Sequence, residues 1–220
     1  GTQLWMQDNL KTTKFRDGTS IQNITDNAEW SNQTSSAYCF YNNDAATYKA
    51  IYGGLYNYFT TVDNHQLCPT GWHVPTYSEW TTLETYLGGS SVAGGKMKAT
   101  TLWNSPNTGA DNSSGFAALP SGQRDHPNGS YLGIGGYGNW WSAAETGATN
   151  AWGIGLTYDN PGFFTGNLSK TYGFSVRCLQ GEGQVLPAVT TTAISVFTST
   201  TATSGGEVTS DGGATVTARG

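Results

Sequence analysis

The stretch from Cys68 to Trp80, "CPTGWHVPTYSEW", brings a cysteine, a histidine and a glutamate close together in the sequence. These residue types can form a metal or catalytic centre. Paired ligands on one helix need a spacing of i, i+4, whereas His73 and Glu79 lie on either side of a predicted helix start. Thr76 and Glu79 match the capping box that closes a helix N-terminus. The pattern therefore favours a corner leading into a helix, with His73 as a packed, hydrogen-bonded residue, over a metal site.

A second pair with catalytic potential is Asp125-His126, in "QRDHPNG". The proline, asparagine and glycine that follow are typical of a solvated turn. Elsewhere the sequence shows no Ser-His-Asp order and no nucleophile elbow. We therefore predict no catalytic residue, no metal ligand and no cofactor, and keep an enzyme that uses Asp125, His126 or His73 as the alternative.

Three cysteines, Cys39, Cys68 and Cys178, lie far apart, without a C-x-x-C pair. One disulfide and one free thiol fit this count. Cys68 is the preferred partner of Cys178, because that bridge would tie the last strand to the helical layer and close a long loop; Cys39 is the other candidate. The abundance of Thr, Ser, Asn and Gly favours an exported protein in an oxidising compartment.

The composition limits the possible partners. Only 11% of the 220 residues are charged, 13% are aromatic, 30 are glycine and the net charge is -5. These values predict one principal, loop-rich domain and argue against a nucleic-acid partner. No segment is apolar for long enough to insert into a membrane. Because the sequence starts without Met or a signal peptide, we expect a mature or excised piece.

Two helices are predicted in the first half. The first begins at Asp44 and has apolar residues at three- and four-residue spacing, with a weak point at Gly53-Gly54; these residues are Tyr48, Ile51, Tyr52, Leu55, Tyr56 and Phe59. The second begins at Thr76 and ends at Gly88-Gly89, with Trp80, Leu83 and Leu87 on one face.

After residue 95, glycine and aromatic residues predict short strands joined by long loops, and the alternation in "YGFSVRCL" turns Cys178 inward. Beyond Gly183 the chain becomes rich in Thr, with a hairpin signal at Gly212-Gly213. We expect a domain at 1–183, followed at 184–220 by a linker and an incomplete β module that is too short to bury its own core.

Several motifs occur in order: "GTQLWMQDNLKTTKFRDGT", "CFYNND", "CPTGWHVPTYSEWTTLETYLGG", "GGKMKATTLWNSPNTGADNSSGFAALPSG", "NWWSAAE" and "KTYGFSVRC". Together they resemble the Fibrobacter succinogenes major paralogous domain. The resemblance implies an α+β, C-type lectin-like fold related to formylglycine-generating enzymes: two helices packed on a small twisted antiparallel sheet, with long loops. The tail resembles the immunoglobulin-like modules of bacterial surface proteins.

The chain departs from these relatives in three ways. It lacks the strand that usually precedes "GTQ" in the family, the paired cysteines that hold copper in formylglycine-generating enzymes, and the Glu-Pro-Asn or Gln-Pro-Asp signature of calcium-dependent lectins. Neither oxidase chemistry nor calcium-dependent sugar binding is therefore expected.

Alternation along the late strands predicts a row Gly153, Gly155, Thr157 that faces outward. In a C-type lectin-like branch diversified by retroelements, the variable positions on this face derive from asparagine codons that are mutated at adenine. The residue types at the corresponding positions of this sequence are compatible with that origin. The predicted ligand-binding residues lie between 130 and 172: Tyr131, Tyr137, Asn139, Gly153, Gly155, Thr157, Gly162, Phe163, Phe164, Gly166, Asn167, Leu168 and Tyr172.

Taken together, these features predict a non-enzymatic recognition module of a secreted or cell-surface bacterial protein, whose parent is anchored at the outer membrane. Its ligand is expected to be a protein or a glycan on another cell or surface. A carbohydrate-active accessory enzyme or degenerate oxidase is the alternative from a different class. A structural spacer in a surface polymer is a third.

Overall fold

The computed structural model describes residues 1–181, 183, 188–198 and 200–210, and shows a mixed α+β protein. Contacts divide the chain into two units, Gly1–Gly181 and Glu182–Gly220. In the second unit, strands β11 (Ala188–Phe197) and β12 (Ala202–Ser210) form an antiparallel hairpin. The turn predicted at Gly212-Gly213 lies outside the described residues.

The first unit contains short helices and strands in its first half and longer strands in its second. The helices are α1 (Asn27–Ser31), α2 (Ala45–Tyr52), α3 (Tyr58–Thr61), α4 (Tyr77–Tyr86) and α5 (Ala93–Met97). The strands are β1 (Gln22–Asn23), β2 (Ala37–Cys39), β3 (Leu55–Tyr56), β4 (Trp72–His73), β5 (Ser121–Arg124), β6 (Tyr131–Ile134), β7 (Tyr137–Glu145), β8 (Asn150–Thr157), β9 (Asn160–Ser169) and β10 (Leu179–Gln180). None of the helices in the described residues has the length and apolar character to span a bilayer.

The largest sheet has five strands in the order β6-β5-β7-β8-β9. Strands β7, β8 and β9 form an antiparallel meander, and β5 joins β7 through a parallel pairing of Gly122 with Gly138. A three-stranded sheet β1-β2-β3 and the pair β10-β4 complete the unit. The second half of the chain therefore supplies the long framework and the first half packs around it.

The five-stranded sheet is covered on both sides over part of its length. Trp140 and Trp141 are adjacent on β7 and both 0% exposed, so they point to opposite faces. Trp141 packs with Phe174 and Tyr58 in one core cluster, whereas Trp140 packs in a second cluster below α4 and α5. Only the remaining part of either face is free for contact with a ligand.

Helix α4 confirms the second predicted helix. Thr76 is its N-cap, and the reciprocal bonds of the capping box with Glu79 are both present. Trp80, Leu83 and Leu87 are buried on one side, as their spacing predicts. The local signal was sufficient here because cap, period and stop signal all agree.

The first predicted helix is shorter than its apolar pattern. Asp44 caps α2 as predicted, but the helix ends at Tyr52, and Leu55 and Tyr56 form strand β3 instead. Gly53 adopts a positive φ of +83°, and a Cβ there would lie 2.6 Å from the carbonyl oxygen of Leu10. The two glycines thus let the chain leave the helix and pass close to the N-terminal segment.

Three cationic side chains are 0% exposed and bind backbone carbonyl groups: Lys98, Arg124 and Arg177. Lys98 donates to the carbonyl groups of Thr108, Thr157 and Asn160, and so joins a long loop to the β8–β9 turn. Each cation satisfies polar groups that would otherwise be buried without partners. Hydrogen bonds from these buried cations therefore fix the long loops against the rest of the domain where helices and strands are few.

The structure contains a disulfide between Cys68 and Cys178, which confirms the preferred pairing. Cys39 is a free thiol, 0% exposed in strand β2, and burial raises its pKa. The bridge connects the approach to α4 with the residue just before β10, 110 positions later in the sequence.

Candidate functional site

One row of side chains crosses all five strands on the same face of the large sheet. Gln123 pairs with Leu132, and Gly155 pairs with both Asn139 and Phe164. Asn139 Nδ2 donates to Gln123 Oε1 at 3.0 Å, which joins the two halves of the row. Because paired residues share a face, the row reads Leu132, Gln123, Asn139, Gly155, Phe164 from β6 to β9. We call this row and its neighbours Tyr137, Thr157 and Gly166 the outer sheet face.

The outer sheet face exposes apolar groups at both ends and amides at its centre. Leu132 and Phe164 are each 44% exposed and Tyr137 is 43% exposed. A Cβ at Gly155 would meet only Asn139 Oδ1, at 3.0 Å, so the floor beside the amides is open. The row itself contains no charged side chain and has exposed apolar groups at its ends, which suits contact with another molecule more than chemistry in an enclosed site.

A chain of polar side chains leads from the centre of the outer sheet face to one rim. Gln123 Nε2 donates to Asp125 Oδ1 at 3.1 Å. Tyr172 lies beyond Asp125; partial burial raises the pKa of Tyr172, and the adjacent Asp125 carboxylate raises it further. Tyr172 also stacks on Phe174, with ring centroids 5.2 Å apart. The amides and the phenol are therefore held in place before any ligand arrives.

The predicted outward row is present, and part of it is accessible. Gly155 and Thr157 lie on the outer sheet face with Tyr137, and Phe164 is exposed as predicted. At the other end, Gly153 is buried, because Leu168 and Phe174 cover it. Leu168 itself is half-buried against the core cluster of Trp141. Gly162 is also buried: a Cβ on it would lie 3.1 Å from the ring of Phe164 and 3.3 Å from the carbonyl oxygen of Ser90.

Three predicted ligand-binding residues lie on the other face of the sheet. Tyr131 pairs with Arg124, its ring lies 4.9 Å from that guanidinium, and its hydroxyl donates to Asn43. Phe163 is only 3% exposed and belongs to the core beneath α4. Asn167 pairs with Trp152, one position out of step with the row. These three residues therefore do not share the outer sheet face, because a shift of one residue along a strand turns a side chain to the opposite face.

The sequence-based set lacked two members of the row, Leu132 and Gln123. Leu132 stands between Tyr131 and Gly133 without an alternating pattern, and Gln123 precedes the Asp125-His126 turn. Only the register of β5 with β6, and the parallel step to β7, brings them beside Asn139. The sequence alone therefore marks neither residue as part of this surface, because the exposure of Leu132 is known only from the structure.

The two histidines weighed as catalytic residues have separate partners. His73 Nε2 lies 2.9 Å from Glu79 Oε1, and His73 Nδ1 donates to the carbonyl oxygen of Gly181. His126 Nδ1 lies 2.7 Å from Thr171 Oγ1, next to the ring of Tyr172. Within the described residues, no group of three or more His, Cys, Asp or Glu is placed to hold a metal ion. His73 is thus a hydrogen-bonded residue of the corner that leads into α4, as the sequence predicts.

The Glu79 carboxylate should make the free energy of unfolding depend on pH in the acidic range. Burial acts to raise the pKa of Glu79, but hydrogen bonds with His73 and Thr76 outweigh it and hold the pKa below the ordinary 4.5. Its contribution is therefore present above about pH 4.5 and is lost as the pH falls through the folded-state pKa. We expect Glu79→Gln to lower the free energy of unfolding by about 1 kcal/mol at neutral pH, through the weakened cap.

Urea unfolding of the wild type and Glu79→Gln at about pH 7 and about pH 3 checks this expectation. The gap between the two proteins should narrow as the pH falls through the folded-state pKa of Glu79, because the wild-type carboxylate then takes up a proton. Glu84→Gln, on the same helix but away from the cap, is the control. A gap that stays constant with pH would show that the charge of Glu79 contributes nothing.

The sheet order, the core clusters and the outer sheet face define a small α+β domain with a row of uncharged side chains on its large sheet. Residues 1–180 match the Fibrobacter succinogenes major domain (Fib_succ_major). The chain belongs to this family. No match was found among curated proteins, and none was found among solved structures.

Proposed function

We propose that this protein is a non-enzymatic recognition module of a secreted or cell-surface bacterial protein, and that it binds a protein or glycan ligand through the outer sheet face. The observation that carries the proposal is the uncharged row from Leu132 to Phe164, which crosses every strand of the sheet. We further propose that the domain is C-type lectin-like and that its ligand-binding face is diversified by a retroelement.

The chemistry of the row supports binding rather than catalysis. Phe164 and Tyr137 offer rigid rings, which form large contacts at a low cost in conformational entropy. Asn139 and Gln123 are joined to each other and keep further donor and acceptor capacity for a ligand. Gly155 lets a ligand approach the strand backbone closely. The disulfide of the same domain supports an oxidising, extracellular setting.

A binding screen tests the proposal, with a glycan array and a set of cell-surface proteins as the two arms. The double variant Phe164→Ala, Tyr137→Ala should weaken binding of any ligand found by at least about tenfold, because a few aromatic contacts contribute most of the binding energy of an interface. Gly155→Val should weaken the same binding, because the valine side chain would fill the open space above Gly155 beside Asn139. Ile51→Ala is the matched control, since Ile51 is 46% exposed and lies on α2.

Ligands retained by both variants with unchanged affinity would remove the outer sheet face as the binding surface. Turnover of a ligand that stops on replacement of Asp125 or His126 would favour the enzyme. For the diversification hypothesis, a template repeat and a reverse transcriptase gene beside the coding gene are expected. The absence of both would contradict the diversification hypothesis and would leave the proposed binding face untouched.

A further inference from the structure

Strand β9 lies at one edge of the five-stranded sheet, and the middle of this edge is open. Before the open part, Phe163 N donates to the carbonyl oxygen of Ser90, so the segment ahead of α5 covers the strand. After it the chain turns, with Tyr172 N bonded to the carbonyl oxygen of Ser169. Among the described residues, no element other than β8 bonds the backbone groups of 164–168. We call 164–168 the open edge.

Alternation along β9 determines which backbone groups of the open edge point outward. Phe163 N points away from β8, whereas Lys170 N, an odd number of positions later, bonds the Thr149 carbonyl oxygen just before β8. The backbone groups of successive residues alternate between the two sides of a strand, so Thr165 and Asn167 direct their N–H and C=O groups away from β8. Both residues are exposed. These backbone groups are therefore available to a further strand.

The sequence of the open edge, "FTGNL", fits an identical strand that runs antiparallel to it. A two-fold axis at Gly166, the central residue, places Thr165 opposite Asn167 of a second copy. The same axis places Phe164 opposite Leu168. The first pair joins two polar side chains and the second joins two apolar ones, and such cross-strand pairs stabilise a sheet. The open edge has none of the charges or prolines that usually keep edge strands from pairing, so it is complementary to itself.

We propose that two copies of this chain pair through their open edges, with the two-fold axis at Gly166. About four backbone hydrogen bonds form, because each pair of Thr165 with Asn167 exchanges two. The two five-stranded sheets become one, with both outer sheet faces on the same side. A second copy is the occupant because the open edge is centred on the one residue about which all of its pairs are compatible. The contact is short, so the dimer is transient. It lies outside the proposed function.

Sedimentation velocity of the full chain over a roughly hundredfold range of concentration tests the proposal. The wild type should shift from monomer toward dimer as the concentration rises. Thr165→Lys with Asn167→Lys should weaken this association by at least about tenfold, because like charges then face each other across the contact. Thr165→Lys with Asn167→Glu should restore it, because opposite charges then face each other. Thr82→Lys with Thr85→Lys, at exposed positions of α4, is the control for added charge.

Any of three results overturns the proposal: a wild type that is monomeric at every concentration, a double-lysine variant that associates as the wild type does, or a lysine–glutamate variant that stays monomeric although circular dichroism shows it folded. A monomeric wild type whose binding of a screened protein is lost in the double-lysine variant would assign the open edge to a ligand strand instead. Thr165 and Asn167 pair with Ile154 and Trp152, on the face opposite Gly155. Their substitution leaves the outer sheet face intact, so either proposal can fail without the other.

Discussion

Replacing Arg124 with methionine is expected to lower the free energy of unfolding by about 3–5 kcal/mol. The guanidinium is 0% exposed and donates to the carbonyl oxygens of Gly129, Ile24, Thr25 and Asp26 and to Asn27 Oδ1. It also packs on the ring of Trp30, 4.5 Å from the centroid. Methionine keeps the apolar stem but leaves several buried acceptors without a donor.

Urea unfolding followed by circular dichroism measures this change. Lys11→Met is the control, since the Lys11–Asp8 pair is a solvent-exposed contact on one loop and should change stability by no more than about 0.5 kcal/mol. Arg124→Lys should fall between the two, because one ammonium cannot reproduce the planar fork. Equal unfolding midpoints for Arg124→Met and the control would show that the carbonyl groups find other donors.

Buried cations explain how a chain with so little regular structure in its first half stays ordered. Arg177 donates to Asn9 Oδ1 and to the carbonyl oxygen of Phe116, between the rings of Phe116 and Trp140. Burial lowers its pKa to about 9. Each such residue joins segments that are distant in sequence, as when Arg124 reaches carbonyl groups about 100 positions earlier. The cost of burying the charge is offset by several hydrogen bonds at once.

The elements predicted best from the sequence are those whose signals are local. The capping box and the period of α4 lie within a dozen residues, and the structure reproduces them. The two glycines mark a weak point in α2, but the close contact of Gly53 with the Leu10 carbonyl group, where the helix ends, has no local pattern in the sequence. Likewise, nothing in "GQRDH" marks Arg124 as a buried donor, because its acceptors are backbone groups of a remote segment.

The candidate site shows the same division between local and long-range information. Alternation along β8 was enough to place Gly155 and Thr157 on one face, and the turn-rich context of Phe164 predicted its exposure. Tyr131 lies on the face opposite Gly155, and its orientation is set by the register between β5 and β6, which the sequence does not show. If the register of β6 shifted by one residue, Tyr131 would lie on the outer sheet face in the place of Leu132.

Removal of the disulfide by Cys68→Ala with Cys178→Ala is expected to lower the free energy of unfolding by about 3–5 kcal/mol. The bridge closes a loop with a sequence separation of 110, and the entropy that it removes from the unfolded chain grows with loop length. Both sulfurs lie in the core cluster of Trp141, so the loss of packing adds to the effect. Urea unfolding of the oxidised wild type and the double variant gives the difference.

Thiol titration of the denatured chain separates this pairing from the one with Cys39. One free thiol is expected in the wild type, none in Cys39→Ala, and one in the double variant. Cys39→Ala should cost only about 1 kcal/mol, because it removes a single buried atom and leaves the bridge intact. If Cys39→Ala instead exposed two titratable thiols, the bridge would involve Cys39, and Cys68 would not be joined to Cys178.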